Sequence, residues 1–179
     1  MISGPEKEDF EIPESINVVA GQTAEITAEP EEIASGLTWT IEDPEIATID
    51  EAGVVTGIKA GTTVAKATLE NGVSHECEVH VLFTDVTNEE DWYFVPVYWA
   101  LANGVTTGTT PTTFAPANKC TRASVVTFLY RLAGEPEVTI DNPFTDIKPD
   151  KYYYNAVLWA YDNGITTGLA SDPTKFAPS

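Results

Sequence analysis

A short stretch that recurs is the feature that most constrains this chain. Residues 97–108 read VYWALANGVTTG, and residues 157–168 read VLWAYDNGITTG. The flanking anchors recur as well, since both copies are preceded by FTD and followed by FAP. A period of about sixty residues with several matching anchors indicates tandem copies of one structural module.

Each copy is predicted to begin with a helix. In the first copy Asp91 can cap the start, and Pro96 falls in or near the first turn, where a missing N–H is tolerated. Asn103 and Gly104 form a left-handed end signal. The sequence therefore predicts a short helix followed by an extended, threonine-rich segment that ends at Gly108.

A second helix is predicted over residues 121–133. Thr121 is its natural N-cap, and Gly134 stands just past its end. The apolar spacing predicts a buried stripe formed by Val125, Phe128, Leu129 and Leu132. The other face is left to Arg122, Ser124, Thr127 and Arg131.

The start of this second helix is a candidate anion site. Arg122 occupies the first helical position, where the positive end of the helix dipole disfavours a cation. Lys119 stands just before it, and free backbone N–H groups together with the Thr121 hydroxyl would complete an anion-binding set. The alternative is that Arg122 simply pairs with an acid such as Asp85 or Asp146. The local chemistry leaves both interpretations open.

The net charge excludes several classes of partner. A formal charge of −19 argues against nucleic acid and against an anionic membrane surface, because few cations are present to replace counterions. Residues 1–82 carry 17 acids and 3 bases, whereas residues 83–179 carry 11 acids and 6 bases. This difference predicts two parts with different surfaces.

The first part has the pattern of a β-sandwich. Short alternating runs over residues 12–82 are broken by turn signals, and in LTWTIE the residues Leu37, Trp39 and Ile41 share one face. The dipeptide Asn71-Gly72 predicts a two-residue hairpin.

The chain has two cysteines, one in each part. Alternation in HECEVHVLF places Cys77 in the core and His80 in solvent. Neither cysteine has a partner in its own part, so Cys77 and Cys120 are both interpreted as buried free thiols. No catalytic group, metal site or cofactor is predicted, and the acids at residues 43–51 are expected to face water.

The turn positions of the first part carry a resemblance. The stretch WTIEDPEIATIDEAGVVTGIKAGTTVAKAT resembles the bacterial Ig-like domain of group 2, through Trp39, residues 44–50, the GVVTG of 53–57 and the AGT of 60–62. The match covers roughly residues 13–82. It implies a surface spacer or adhesion module.

The repeated part resembles the S-layer homology module. The series FTDV, WA, NGV, FAP and CTRA carries the likeness, and the start of the second helix matches the family's T-R-A hallmark. Ser124 departs from the usual Glu or Gln, which would close a capping box. The resemblance implies non-covalent anchoring to an anionic secondary cell-wall polysaccharide, often pyruvylated. The implied ligand-binding residues are Thr121, Arg122, Lys119, Trp99, Gly108, Trp159 and Gly168.

The sequence thus predicts a multidomain chain, all-β and then mainly α. An Ig-like β-sandwich is expected at residues 10–82, an S-layer homology repeat of helix–loop–helix type at 83–140, and a partial repeat at 141–179 without its second helix. The predicted function is non-enzymatic anchoring at the bacterial cell surface. The alternative is an adhesin that binds a glycan or protein through the Ig-like domain, and the incomplete second repeat suggests self-association. No nucleic acid, membrane insertion or cofactor is expected.

Overall fold

The computed structural model describes residues 9–179, which divide into two compact units. One unit contains the described residues up to Pro96 together with Thr107–Pro116. The other contains Val97–Thr106 together with Ala117–Ser179. The second stretch, residues 157–168, and nearly all of the first, residues 97–106, therefore belong to the same unit.

The first unit contains two β-sheets. Its strands are β1 (Ser15–Val19), β2 (Thr23–Glu25), β3 (Thr38–Ile41), β4 (Ala47–Ile49), β5 (Val54–Gly57), β6 (Gly61–Thr68) and β7 (Ser74–Leu82). One sheet has the order β1-β7-β6-β3 and the other β2-β5-β4. β1 runs parallel to β7, and the other paired strands are antiparallel. A 3₁₀ turn at Glu31–Gly36 precedes β3.

Alternation along these strands builds the core between the two sheets. Cys77 of β7 stands opposite Ala65 of β6, and both are fully buried. Asn71 and Gly72 close the hairpin that joins these two strands, with the Leu69 N–H donating to the Val73 carbonyl oxygen at 2.9 Å. The predicted sandwich and the burial of Cys77 are confirmed, and the hairpin forms at the predicted place. Its loop has three residues, 70–72, and not the two predicted, because Thr68 pairs with Ser74 and Gly72 has a positive φ whereas Asn71 does not. The same core is completed by Val18, Ile26, Ala47, Val55, Val79 and Val81.

Three helices follow in the described part of the chain: α1 (Phe94–Ala102), α2 (Arg122–Leu132) and α3 (Tyr154–Asp162). After α1, the Asn103 N–H and side-chain amide both donate to the Trp99 carbonyl oxygen, and Asn163 does the same to Trp159 after α3. The asparagines thus satisfy carbonyl groups that the helix ends leave open. The repeated NG therefore ends both helices where the sequence predicted. The pairing of two helices within the repeat at 83–140 stays a prediction.

The predicted buried face of α2 is wrong. The helix buries Ala123, Val126, Thr127 and Tyr130, and these pack with α3 residues such as Val157. Thr127 can be buried because its hydroxyl donates to the Ala123 carbonyl oxygen at 2.8 Å, which leaves no unsatisfied polar group. The larger side chains were predicted to be inside, yet 47% of Val125, 39% of Leu129 and 58% of Leu132 are exposed.

The prediction for the second cysteine is also wrong. Cys77 is buried, whereas Cys120 is exposed. Cys120 directly precedes the N-cap of α2, so it lies outside the helical face that packs against α3. In the part of the chain that the structure describes, none of the helices is both long and apolar enough to span a membrane.

Candidate ligand site at the start of helix α2

Arg122 is held by the main chain and ring of Phe176. Its Nε–H donates to the Phe176 carbonyl oxygen at 3.0 Å, and its Cζ lies 4.9 Å from the centroid of the Phe176 ring. Nη2 makes a longer contact of 3.4 Å to Oγ1 of Thr166. Within residues 9–179 no carboxylate lies within ion-pair distance of this guanidinium. The side chain is exposed, so its Nη1 edge stays open to an anion.

The backbone N–H groups of α2 are less available than the sequence suggested. The Ala123 N–H donates to the Pro178 carbonyl oxygen at 3.0 Å, and the Ser124 N–H donates to Oγ1 of Thr121 at 3.1 Å. Thr121 is therefore the N-cap, as predicted. The expectation of free N–H groups is wrong at these two positions, because Pro178 of the FAP segment supplies an acceptor to Ala123 and the Thr121 hydroxyl supplies one to Ser124.

The two acids considered as partners of Arg122 have another role. Asp146 accepts from the N–H groups of Phe176 at 2.9 Å and Ala177 at 2.8 Å. Asp85 accepts in the same way from Phe114 at 2.9 Å and Ala115 at 2.7 Å. Each FTD aspartate thus fixes the FAP segment of its own copy, which leaves Arg122 without either carboxylate.

The hydrogen bonds that Asp146 accepts from Phe176 and Ala177 also affect its ionisation. Burial of this carboxyl would raise its pKa, but the N–H groups of Phe176, Ala177 and Asp146 itself, with the charge of Lys175, act in the opposite direction. The net result is that the pKa of Asp146 lies below its ordinary value. The aspartate is therefore ionised throughout the neutral range, where it keeps its hydrogen bonds to the N–H groups of Phe176 and Ala177.

The two candidate tryptophans differ. Trp159 is half-buried, and its ring centroid lies 5.7 Å from that of Tyr130 on α2. Trp99 is 53% exposed. Trp159 is mainly a packing residue, whereas Trp99 leaves a ring face open to solvent.

The two candidate glycines permit close packing of their own copies. Gly108 has φ +81°, and a Cβ there would lie 2.6 Å from Phe83 and 2.7 Å from the Thr110 carbonyl oxygen. Gly168 has φ +89°, and a Cβ would lie 2.6 Å from the Pro173 carbonyl oxygen. Since real Cβ contacts are essentially never this short, both positions require glycine without any ligand.

Two further cationic side chains lie near Arg122 in the sequence: Lys119, which precedes α2, and Arg131, in its last turn. Lys119 is exposed and has no ion-pair partner among residues 9–179. Arg131 was not predicted to take part, but its Nη1 donates to the Val105 carbonyl oxygen at 3.3 Å. Its place in the last turn of a helix, where cations are favoured, was the available signal.

Two acidic side chains of the first unit accept hydrogen bonds from backbone N–H groups of the turns in which they lie. Asp50 accepts from the N–H groups of Ala52 and Val54, each at 2.9 Å, and Asp43 accepts from Glu45 at 2.9 Å. Across residues 9–179, no set of three His, Cys, Asp or Glu side chains is grouped to hold a metal ion.

Comparison with known proteins finds a relative for about half of the chain. An endoglucanase of Bacillus sp. (strain KSM-635) is 35% identical over 97 residues, which is 54% of this chain and 10% of the relative. The chain thus spans about a tenth of that protein's length.

Among solved structures, a bacterial Ig-like domain containing GH10 xylanase from termite gut is 25% identical, with a TM-score of 0.34. That alignment covers 43% of this chain and 20% of the xylanase. Domains 4 and 5 of the S-layer protein SbsC are 18% identical, with a TM-score of 0.34 over 41% of this chain and 51% of the other.

The family matches follow the order of the two parts. Residues 13–88 match the bacterial Ig-like domain (group 2), and residues 82–126 and 143–179 match the S-layer homology domain. Both are non-catalytic modules, and they fit anchoring at the cell surface. The chain therefore carries a match to the group 2 bacterial Ig-like domain, followed by matches to the S-layer homology domain.

Proposed function

We propose that this chain attaches a bacterial protein to the cell wall by binding an anionic secondary polysaccharide at Arg122. In this proposal the Ig-like domain at residues 10–82 is a spacer. The repeat at 83–140 and the partial repeat at 141–179 supply the binding surface. Binding is non-covalent, and no chemical step is involved.

The observation that carries the proposal is an arginine without a counterion in an acidic chain. The formal charge is −19, yet the described residues place no carboxylate on Arg122. Phe176 fixes the guanidinium by its carbonyl oxygen and its ring, so little side-chain entropy is lost when a ligand arrives.

The open edge also suggests how an anion is bound. Because Nε is occupied by Phe176, a carboxylate would approach Nη1 and the remaining N–H of Nη2 end-on. Lys119, exposed nearby in sequence, adds a second positive charge. A carboxylate-bearing sugar such as a pyruvyl ketal fits this arrangement better than a neutral sugar does.

The test is co-sedimentation of the purified chain with protein-free cell-wall sacculi. Arg122→Ala is expected to weaken binding at least about tenfold, since a hydrogen bond to a charged group is lost. Arg131→Ala is the matched control, because it removes the same charge from the same helix, where Val105 occupies the guanidinium.

Acid treatment that strips the polysaccharide from the sacculi provides the second arm. The wild-type chain should no longer sediment with stripped sacculi. Binding that survives both this treatment and Arg122→Ala would contradict the proposal and would favour adhesion through the Ig-like domain.

A further inference from the structure

Each copy of the repeat presents an exposed aromatic ring just before its first helix. Trp92 is 85% exposed and Tyr152 is 66% exposed. Each is followed by a tyrosine whose ring stands edge-on to it. The centroid distance is 5.6 Å at 83° for Trp92 and Tyr93, and 5.1 Å at 79° for Tyr152 and Tyr153. We name these pairs the aromatic ledges.

The same backbone turn builds both ledges. In the first copy the Asp91 N–H donates to the Asn88 carbonyl oxygen at 3.1 Å. In the second copy Lys151 donates to Lys148 at 3.1 Å. A further bond joins each turn to its helix, from Phe94 to Asp91 at 2.9 Å and from Tyr154 to Lys151 at 3.0 Å. The ring positions are therefore set by the fold before any ligand binds, which reduces the entropy lost on binding.

The charges around the two ledges are opposite. Residues 88–91 read Asn-Glu-Glu-Asp, with three acids and no base. Residues 148–151 read Lys-Pro-Asp-Lys, with two bases and one acid. Lys151 pairs with Asp150 at 3.4 Å, and Lys148 has no ion-pair partner among residues 9–179. Only the second ledge combines an exposed ring with a free positive charge.

We propose that Tyr152 and Lys148 form a stacking subsite for a sugar ring of an anionic polysaccharide. This inference rests on the proposed function and adds a second contact to that of Arg122. The apolar C–H face of a pyranose ring fits the negative face of an aromatic π-system, and the lysine attracts the sugar's acidic substituent. A single ring surrounded by charged side chains suits one sugar unit better than it suits a protein interface, which has an apolar core.

The experiment uses the full chain with polysaccharide released from sacculi, measured by calorimetry. Tyr152→Ala is expected to weaken binding about tenfold, as for loss of one stacking contact. Tyr152→Phe keeps the ring and should bind within about twofold of the wild type. Trp92→Ala is the matched control: its ledge lies among Glu89, Glu90 and Asp91, so its loss should change affinity for the anionic polymer little.

A charge variant separates stacking from attraction. Lys148→Glu should weaken binding to the anionic polymer and should have little effect on a polymer whose acidic substituents have been removed by mild acid. Tyr152→Ala should weaken both. Circular dichroism checks that each variant is folded, which is expected because both side chains are exposed.

The outcomes distinguish this inference from the proposed function. If Arg122→Ala reduces binding but Tyr152→Ala binds like the wild type, the subsite is overturned and the anchoring function stands. A larger loss for Trp92→Ala than for Tyr152→Ala also overturns it. If the wild-type chain binds neither sacculi nor the released polymer, both proposals are wrong.

Discussion

Arg122 and Phe176 join the two copies of the repeat, since the Arg122 Nε–H donates to the Phe176 carbonyl oxygen at 3.0 Å and the guanidinium lies over the Phe176 ring. The Ala123 N–H reaches the Pro178 carbonyl oxygen beside this contact. The TRA motif of one copy thus receives the FAP segment of the next. The residue that we propose for ligand binding is also a structural link.

Arg122→Ala should therefore lower the free energy of unfolding as well as ligand affinity. A hydrogen bond from a charged group and a cation–π contact are both lost, and we expect a decrease of about 1–2 kcal/mol. Arg122→Lys should recover only part of it, because an ammonium group cannot reproduce the planar contacts. Urea unfolding monitored by circular dichroism measures the difference. Unchanged stability in Arg122→Ala would show that the Phe176 contact contributes nothing.

The sheet part of the fold could be predicted because its signals are local. Alternation along β7 placed Cys77 inside, so neighbouring residues alone decided that outcome. Asn71-Gly72 located the hairpin, but not the length of its three-residue loop. The helix ends were equally local, since Thr121 and Asn103 make the bonds expected of them within one turn.

The face of α2 could not be predicted because it depends on a distant partner. The face of α2 that carries Ala123 and Thr127 packs against small and branched residues of α3. These residues include Ala156, Val157 and Ala160. A preference for the largest apolar side chains selects the opposite face. The contact of Arg122 with Phe176 could not be predicted for the same reason. The two residues are 54 positions apart, and no local sequence pattern indicates that they meet.

The hydrogen bonds from Phe176 and Ala177 to Asp146 predict that part of the folding stability is lost in acid. The pKa of Asp146 is lowered on folding, so its contribution is fully present above the unfolded value of about 4 and is lost as the pH falls through the lower folded value. The unfolding free energy of the wild type minus that of Asp146→Ala should therefore decrease below about pH 4. Urea titrations from pH 7 downward measure this difference. Glu137→Ala, which removes an exposed acid, is the control for the loss of one negative charge.

A constant difference between wild type and Asp146→Ala across the acid range would contradict this. It would mean that the N–H groups of Phe176 and Ala177 stabilise the carboxylate no better than water does.

Gly168→Ala should destabilise the second unit strongly. The methyl group would meet the Pro173 carbonyl oxygen at 2.6 Å, and φ is +89°, so steric and conformational costs add to more than about 2 kcal/mol. Gly134→Ala is the matched control: φ is +83° but open space surrounds it, so only the conformational cost of about 1 kcal/mol applies. Thermal unfolding of both variants should separate the two costs, and equal losses would exclude the steric part.

The exposed stripe of α2 predicts concentration-dependent association. Val125, Leu129 and Leu132 lie on one helical face, and exposed apolar faces of this kind promote contact between molecules. Leu129→Lys with Leu132→Lys should shift the chain toward the monomer without lowering stability, because neither residue is buried. Light scattering over a wide concentration range is the measurement. A wild-type chain that stays monomeric throughout would contradict the prediction.

Ser124→Glu should stabilise α2. Ser124 stands at the third position of the helix, where its N–H already donates to Oγ1 of Thr121. A glutamate at this position would accept a hydrogen bond from the Thr121 N–H and complete a capping box. Its negative charge would also interact favourably with the positive end of the helix dipole. We expect a gain of about 0.5–1 kcal/mol in the free energy of unfolding. Ser124→Gln tests the cap without the charge and should give a smaller gain, and high salt should reduce only the glutamate's advantage. A loss of stability in both variants would show that the present bond between the Ser124 and Thr121 hydroxyls, at 2.9 Å, is the better cap.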